Sequence, residues 1–324
     1  MLMPMVKVDR EVQALAASLS RTVGADDNRD FTHTREFWAR EPQRSLSWAL
    51  LATPDEYQGE ERVRVAASGA TVRKVVDRWS AQLPSLKGIR WLELPSRASQ
   101  PLLEAACVLP ALEALRIPAN TITDLEALEN CKSLRYLQVG TSSSIASIEP
   151  LAKLSWLKWL QLDNLKCARN LDPLGSLVGL IGLGFTGAEF RGFMVDSFQP
   201  LRYLQNLEWL HLGAVHAVDM SLDPLAALKK LEFLGLGNYF PLAEFAHLSL
   251  HVDASVCEWA QPFVRLHSSV LPCRRCNENW KVITSGRGGR ALCPTCDSVK
   301  LARHVARFNA VRGAAAASVF SHGH

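Results

Sequence analysis

Hydrophobic residues recur along the chain as leucine-x-leucine pairs flanked by polar or aromatic positions. The pairs read WLELP, ALRIP, YLQVG, WLQLD, GLGFT, WLHLG and FLGLG, and their first apolar members are Leu92, Leu115, Leu137, Leu160, Leu183, Leu210 and Leu234. Successive pairs are 23, 22, 23, 23, 27 and 24 residues apart. Alternation with period two predicts a short strand with one face buried. A second marker keeps the same period: IEPL, LDPL, FQPL and LDPL place Pro150, Pro173, Pro200 and Pro224 between the pairs. Proline suits the first position of a helical turn, and Glu149, Asp172 and Asp223 before it favour the turn's positive end. Each repeat is therefore expected to be a strand, a loop and a brief helix.

A unit of this size cannot bury its leucines alone, whereas stacked units share one core. On these residues the chain resembles the leucine-rich-repeat superfamily, in particular its short-repeat, internalin-like bacterial class. The stretch LPALEALRIPANTITDLEAL fits best, with Leu112, Leu115, Ile117, Asn120, Ile122, Leu125 and Leu128 at the expected positions. The resemblance covers roughly residues 83–250 and implies an α/β solenoid, with a parallel β-sheet on the concave face and short helices on the convex side. It departs in one respect. The family asparagine three residues after the strand is kept only as Asn120, the other repeats having Arg97, Ser142, Leu165, Ala188, Val215 and Tyr239. The turns after the strands are therefore expected to be irregular.

The expected organisation is an N-terminal capping region at 1–82, including RVRVAAS and the amphipathic TVRKVVDRW, then about seven repeats over 83–255. A linker at 256–270, a small module at 271–313 and a flexible tail at 314–324 follow. Cys131 takes a position where neighbouring repeats have leucine and is expected in the core, while Cys107, Cys167 and Cys257 are scattered.

If the leucines face the core, the residues beside them face the other side of the sheet. The column before each first leucine reads Trp91, Ala114, Tyr136, Trp159, Gly182, Trp209 and Phe233, and the next reads Glu93, Arg116, Gln138, Gln161, Gly184, His211 and Gly235. Six gaps of about 4.8 Å make a strip roughly 28 Å long. Exposed aligned aromatics suit a protein-binding hot spot, so Trp91, Tyr136, Trp159, Trp209, Phe233, Arg116, Gln138, Gln161 and His211 are the candidate contact residues. The alternative is that the rings pack on one another or on a cap. Phe190, Phe193 and Met194, in the longest repeat, read equally as a ligand clasp or as local packing.

Charge changes the picture at the C-terminus. Residues 273–312 hold nine of the chain's 36 lysines and arginines but two of its 32 acids, against a whole-chain net charge of +4. The same stretch carries C-x2-C, sixteen residues, then C-x2-C: Cys273, Cys276, Cys293 and Cys296. That spacing suits a four-thiolate zinc site, with Asn277 and Asp297 where the chain must turn tightly. The intervening NWKVITSGRGGRAL reads as a hairpin with a glycine-rich bend. Residues 271–298 resemble the zinc-ribbon family, which implies one structural Zn2+ with no open coordination position. DSVKLARHVARFNAVRG then reads as a helix with Leu301, Val305 and Phe308 on one face and Lys300, Arg303, His304 and Arg307 on another. With Arg274, Arg275, Arg287 and Arg290 these residues form a basic module, a candidate nucleic-acid contact or a solvated face. His322 and His324 in the tail are weak metal candidates.

No phosphate-binding glycine loop, HExxH or nucleophile elbow is present, and His211 and His216 have no identifiable partner carboxylate in the sequence. Catalysis is not expected. The N-terminal stretch lacks an apolar signal core, and no apolar run reaches membrane-spanning length. The expectation is a cytoplasmic recognition protein that binds an unidentified protein partner, with a nucleic-acid-associated protein as the alternative and no membrane role.

Overall fold

The computed structural model describes residues 48–67, 72–165, 167–187, 192–266, 273–276 and 281–321. Expectations for residues 1–47, Phe190, Asn277, His322 and His324 lie outside the described residues. The described chain divides into two compact units, a repeat unit of residues 48–219 and 227–235 and a C-terminal unit of residues 220–226 and 236–321.

The repeat unit is built on a nine-stranded sheet. Its strands, in spatial order, are β1 (Ala49–Leu51), β2 (Arg62–Val65), β3 (Trp91–Glu93), β4 (Ala114–Ile117), β5 (Tyr136–Val139), β6 (Trp159–Asp163), β7 (Gly182–Thr186), β9 (Trp209–Gly213) and β11 (Phe233–Leu236). Neighbours from β1 to β9 pair in parallel, and Leu92, Leu115, Leu137, Leu160, Leu183 and Leu210 fall in one register row. All six leucines are fully buried. This is the α/β leucine-rich-repeat solenoid that the resemblance implies. Two further strands, β8 (Phe193–Val195) and β10 (Val215–Ala217), pair in parallel beside it.

The return path of each repeat is short. Glu149–Lys153, Asp172–Ser176 and Gln199–Tyr203 are 3-10 turns with proline in the first two positions, and each buries one leucine, Leu151, Leu174 or Leu201. Five residues are too few for more than a turn or so, and the tighter helix suits that length. Longer helices occur near the start of the unit, at α1 (Val72–Gln82) and α2 (Gln100–Cys107).

The post-strand turns are irregular in a definable way. Asn120 donates to the carbonyls of Pro118 and Gly140 and accepts from the Ile122 amide, as a buried turn asparagine should. In the next repeat the Ser142 hydroxyl takes over, accepting from the amides of Ser144 and Ile145 and donating to the Ile122 carbonyl. Elsewhere the chain enters the left-handed region at Arg97, Asn164 and Ala214 (φ 65, 53 and 53°).

At the N-terminal side, RVRVAAS is not separate from the sheet: its first four residues are β2, paired with β3, and β1 lies beyond it. Alternation explains this, since Val63 and Val65 enter the core while Arg62 and Arg64 take the opposite face. The amphipathic TVRKVVDRW supplies α1, which buries Val76 and Trp79; the Trp79 indole donates to the Ala52 carbonyl.

In the C-terminal unit, β12 (Phe263–Leu266), β13 (Lys281–Thr284) and β14 (Ala291–Leu292) form an antiparallel sheet. β12 falls in the span 256–270 read as a linker: its four residues are too short to betray a strand, and its partner is supplied by the hairpin downstream. The hairpin turns through Gly286 and Gly288, both at positive φ. Helix α3 (Leu242–Leu248) packs against α4 (Ser298–Ser321). The core joins Phe263, Val282 and Leu292 of the sheet to Leu301, Ala302 and Val305 of α4. The Asn238 side chain grips the hairpin, donating to the Thr284 carbonyl at 3.0 Å and accepting from the Gly286 amide at 2.7 Å.

Candidate recognition face and metal centre

The register places Trp91, Ala114, Tyr136, Trp159, Gly182 and Trp209 in one row on the face opposite the leucines. The expectation that the rings stand free in water is corrected by their burial. Trp91, Trp159 and Trp209 are 6%, 4% and 1% exposed. Tyr136 and Phe233 are partly buried and pack against the Trp159–Trp209 pair. The cause is the pair of small residues in the same row. Trp159 lies over Gly182, where a Cβ would come within 2.3 Å of its ring, and so reaches Trp209 at a centroid distance of 5.1 Å. Trp91 meets Tyr136 across Ala114 at 5.5 Å, and Trp209 stacks on Phe233 at 5.5 Å. The alternative reading, rings packing on one another, describes this row.

The second row is also covered. Gln138, Gln161 and His211 are buried and Arg116 is partly so. Gln161 lies over Gly184, and the His211 ring lies beside both Trp209 and Phe233, at centroid distances of 6.0 and 6.4 Å. Sequence reasoning missed the residue that organises this row. Asp163 accepts from the Gln138 amide at 2.8 Å, the Gln161 amide at 2.7 Å and the Thr186 hydroxyl at 2.6 Å. With their nitrogens committed to Asp163, the carbonyl oxygens of Gln138 and Gln161 are buried without a hydrogen-bond partner among the described residues. On the N-terminal side Glu93 bridges Arg64 and Arg116 at 2.9 and 3.2 Å. Next to the aromatic row, Arg90, which precedes Trp91, pairs with Glu113, which precedes Ala114, at 2.6 Å. In the long repeat, Phe193 packs on Phe185 while Met194 remains exposed.

The four C-terminal cysteines converge. Their sulfurs all lie within 4.8 Å of one another, with Cys273 to Cys296 at 3.9 Å and Cys276 to Cys293 at 3.6 Å. Four thiolates about 2.3 Å from a tetrahedral zinc ion stand about 3.8 Å apart, so these two separations match that ion and the cluster could hold a metal. These separations are far too long for a disulfide. Backbone amides of Arg275 and Cys276 turn toward the Cys273 sulfur and hold its pKa down at about 6. Hydrogen bonding with Cys276, burial and the neighbouring Cys273 sulfur push Cys296 up to about 12. Four sulfurs this close cannot all ionise without a cation among them. The remaining cysteines are remote from this chemistry: Cys107, Cys131 and Cys257 are buried packing residues and Cys167 is half-buried.

Around the cluster, Asp297 accepts from the Cys293 amide at 3.2 Å, from Arg275 at 2.8 Å and from Lys300 at 3.1 Å. The two cations hold its carboxyl down at about 2. On α4, Leu301, Val305 and Phe308 are buried while Lys300, Arg303 and Arg307 are exposed, as the helical spacing predicts. His304 is turned to the Pro262 carbonyl at 2.8 Å. Arg274, Arg287 and Arg290 are exposed. No helix among the described residues is long and apolar enough to cross a membrane.

The fold is that of a leucine-rich-repeat protein, and comparison with known proteins adds this much. No protein-family model matches the chain. No curated protein matches it either. Among solved structures, it is similar to internalin C2 of Listeria monocytogenes, at 25% identity over 48% of this chain and 63% of that one, with a TM-score of 0.36. A second L. monocytogenes internalin is 20% identical over 63% of this chain and 69% of that one, with a TM-score of 0.41. A leucine-rich-repeat protein of Leptospira interrogans is 20% identical over 63% of this chain and 57% of that one, with a TM-score of 0.38. The chain thus spans 63% of the length of internalin C2.

Proposed function

We propose that the protein is a non-catalytic recognition protein whose concave face binds a protein partner and whose C-terminal unit carries one structural zinc ion on Cys273, Cys276, Cys293 and Cys296. The observation that carries the first part is the polar centre of the face. The Gln138 and Gln161 oxygens have no donor, each at a cost of about 1–3 kcal/mol, and Asp163 has no cation among the described residues. Both oxygens are closed to solvent, so rotation of either side chain outward on binding would present its oxygen to donor groups on a partner and recover that cost. The aromatic row supports the same reading in a modified form: stacked rings are already ordered, so a partner pays little entropy to use them. Contact then falls on the rings still partly open, Tyr136 and Phe233, not on the covered indoles.

The test uses full-length protein as bait and any partner it captures. Tyr136→Ala and Phe233→Ala are expected to weaken capture about tenfold or more, as centrally placed aromatics do. Tyr203→Ala, which removes an exposed ring from the convex turn Gln199–Tyr203, is expected to leave capture unchanged. Equal binding by all three variants rejects the concave face as the site.

A second reading rests on a separate observation. Arg274, Arg287, Arg290, Arg303 and Arg307 are exposed and form no ion pair among the described residues, whereas Arg275 and Lys300 are both spent on Asp297. Unneutralised arginines of this density suit a phosphate backbone. If they bind one, affinity for a double-stranded oligonucleotide falls by about three orders of magnitude or more between 50 and 200 mM salt when six or more phosphates are engaged. A flat salt response excludes this role.

A further inference from the structure

We infer that Asp297 is a positioning residue that couples the two cysteine pairs to each other and to the start of α4, so that it sets the affinity of the metal site without being a ligand. The inference rests on the zinc reading above.

The geometry is specific. Asp297 follows the second cysteine pair, and its own carbonyl accepts the first bond of α4, from the Leu301 amide at 2.9 Å. A residue in that position usually turns its side chain onto the helix's free amides. Here the carboxylate turns back instead: one oxygen accepts from the Cys293 amide, which fixes the loop holding Cys293 and Cys296. The other accepts from Arg275, which lies between Cys273 and Cys276, and from Lys300 in the first turn of α4. One side chain therefore spans both metal-binding loops and the helix. It is only 10% exposed on its side chain, while Arg275 and Lys300 are 62% and 66% exposed, so the carboxylate is the fixed member of the group.

The tie matters because each pair of sulfurs sits on a separate short loop, and the two loops must meet before a fourth ligand closes the tetrahedron. A group that holds them at the right separation lowers the ordering cost of metal binding, as outer groups around zinc ligands do. It also transmits the closure. The Leu301 amide bond and the Lys300 contact bring α4, whose Leu301, Ala302 and Val305 fill the core of the unit, into the same cooperative event.

The experiment measures zinc affinity of the full chain by competition with a chromogenic chelator and records the absorption of the cobalt(II)-loaded form. Asp297→Asn is expected to bind zinc about 10–100-fold more weakly, with the four-thiolate cobalt spectrum unchanged and with partial recovery in Asp297→Glu. Arg275→Met removes an exposed partner at little risk to folding and is expected to weaken zinc binding in the same direction. Unchanged affinity in both Asp297→Asn and Arg275→Met overturns the inference. So does an altered cobalt spectrum in Asp297→Asn, because the residue would then belong to the ligand set. Failure of the unaltered protein to bind zinc or cobalt is a different result: it removes the metal reading itself.

Discussion

Replacing Cys273 and Cys276 together by serine is expected to abolish metal binding and to open the C-terminal unit, the largest effect predicted for this protein. Structural zinc contributes roughly 10–16 kcal/mol of apparent binding free energy in small modules, more than the packing beside the cysteines can replace. That packing is the cluster Phe263, Val282, Leu292, Leu301, Ala302 and Val305, whereas Phe240, Phe245 and Trp259 pack together elsewhere in the unit. Elemental analysis of the unaltered protein should find one zinc per chain and no iron, another metal that four thiolates accept. The double variant should contain neither. In hydrogen exchange, its amides in β13 and in the first half of α4 should lose protection while β4–β7 keep theirs. A double variant as protected as the parent would show that the four sulfurs gather without holding the unit together.

Trp209→Ala is expected to destabilise the repeat unit by about 3–5 kcal/mol. The indole is 1% exposed and touches Trp159, His211 and Phe233 at once, so its removal leaves a void that three stiff neighbours cannot close. Urea unfolding followed by far-ultraviolet circular dichroism gives the difference directly. Tyr203→Ala, at a residue 62% exposed, provides the contrast and should stay within about 0.5 kcal/mol of the parent. A Trp209→Ala effect no larger than that of Tyr203→Ala would mean that the stacked row adds nothing to stability.

The repeat architecture was legible because its signal is local and repeated: a leucine at every second position marks a strand, and seven copies remove the ambiguity of any one. The strands that escaped are those whose partner lies elsewhere. Arg62–Val65 alternates within the stretch read as a cap but joins the sheet only because β3 lies beside it, and Phe263–Leu266 acquires its role only from a hairpin that follows the first cysteine pair. The cysteine cluster was equally legible, since two fixed spacings suffice to bring the sulfurs together. The state of the aromatic row was not. Sequence places Trp159, Gly182 and Trp209 on one face, but whether an indole stands upright or lies across a glycine is decided by a side-chain rotation between residues 23 and 27 positions apart. Asp163 and Asp297 were missed or undervalued for a related reason: their importance lies in donors drawn from other strands and loops.

Gly182, Gly184 and Gly235 carry no side chain, yet each is crowded by a side chain of the neighbouring strand. A methyl group at Gly182 would strike the Trp159 ring, one at Gly184 would strike the Gln161 amide, and one at Gly235 would strike His211. Variation on this face is therefore expected where side chains are still partly open to water, as at Arg116, Tyr136 and Phe233, and not at the bare positions.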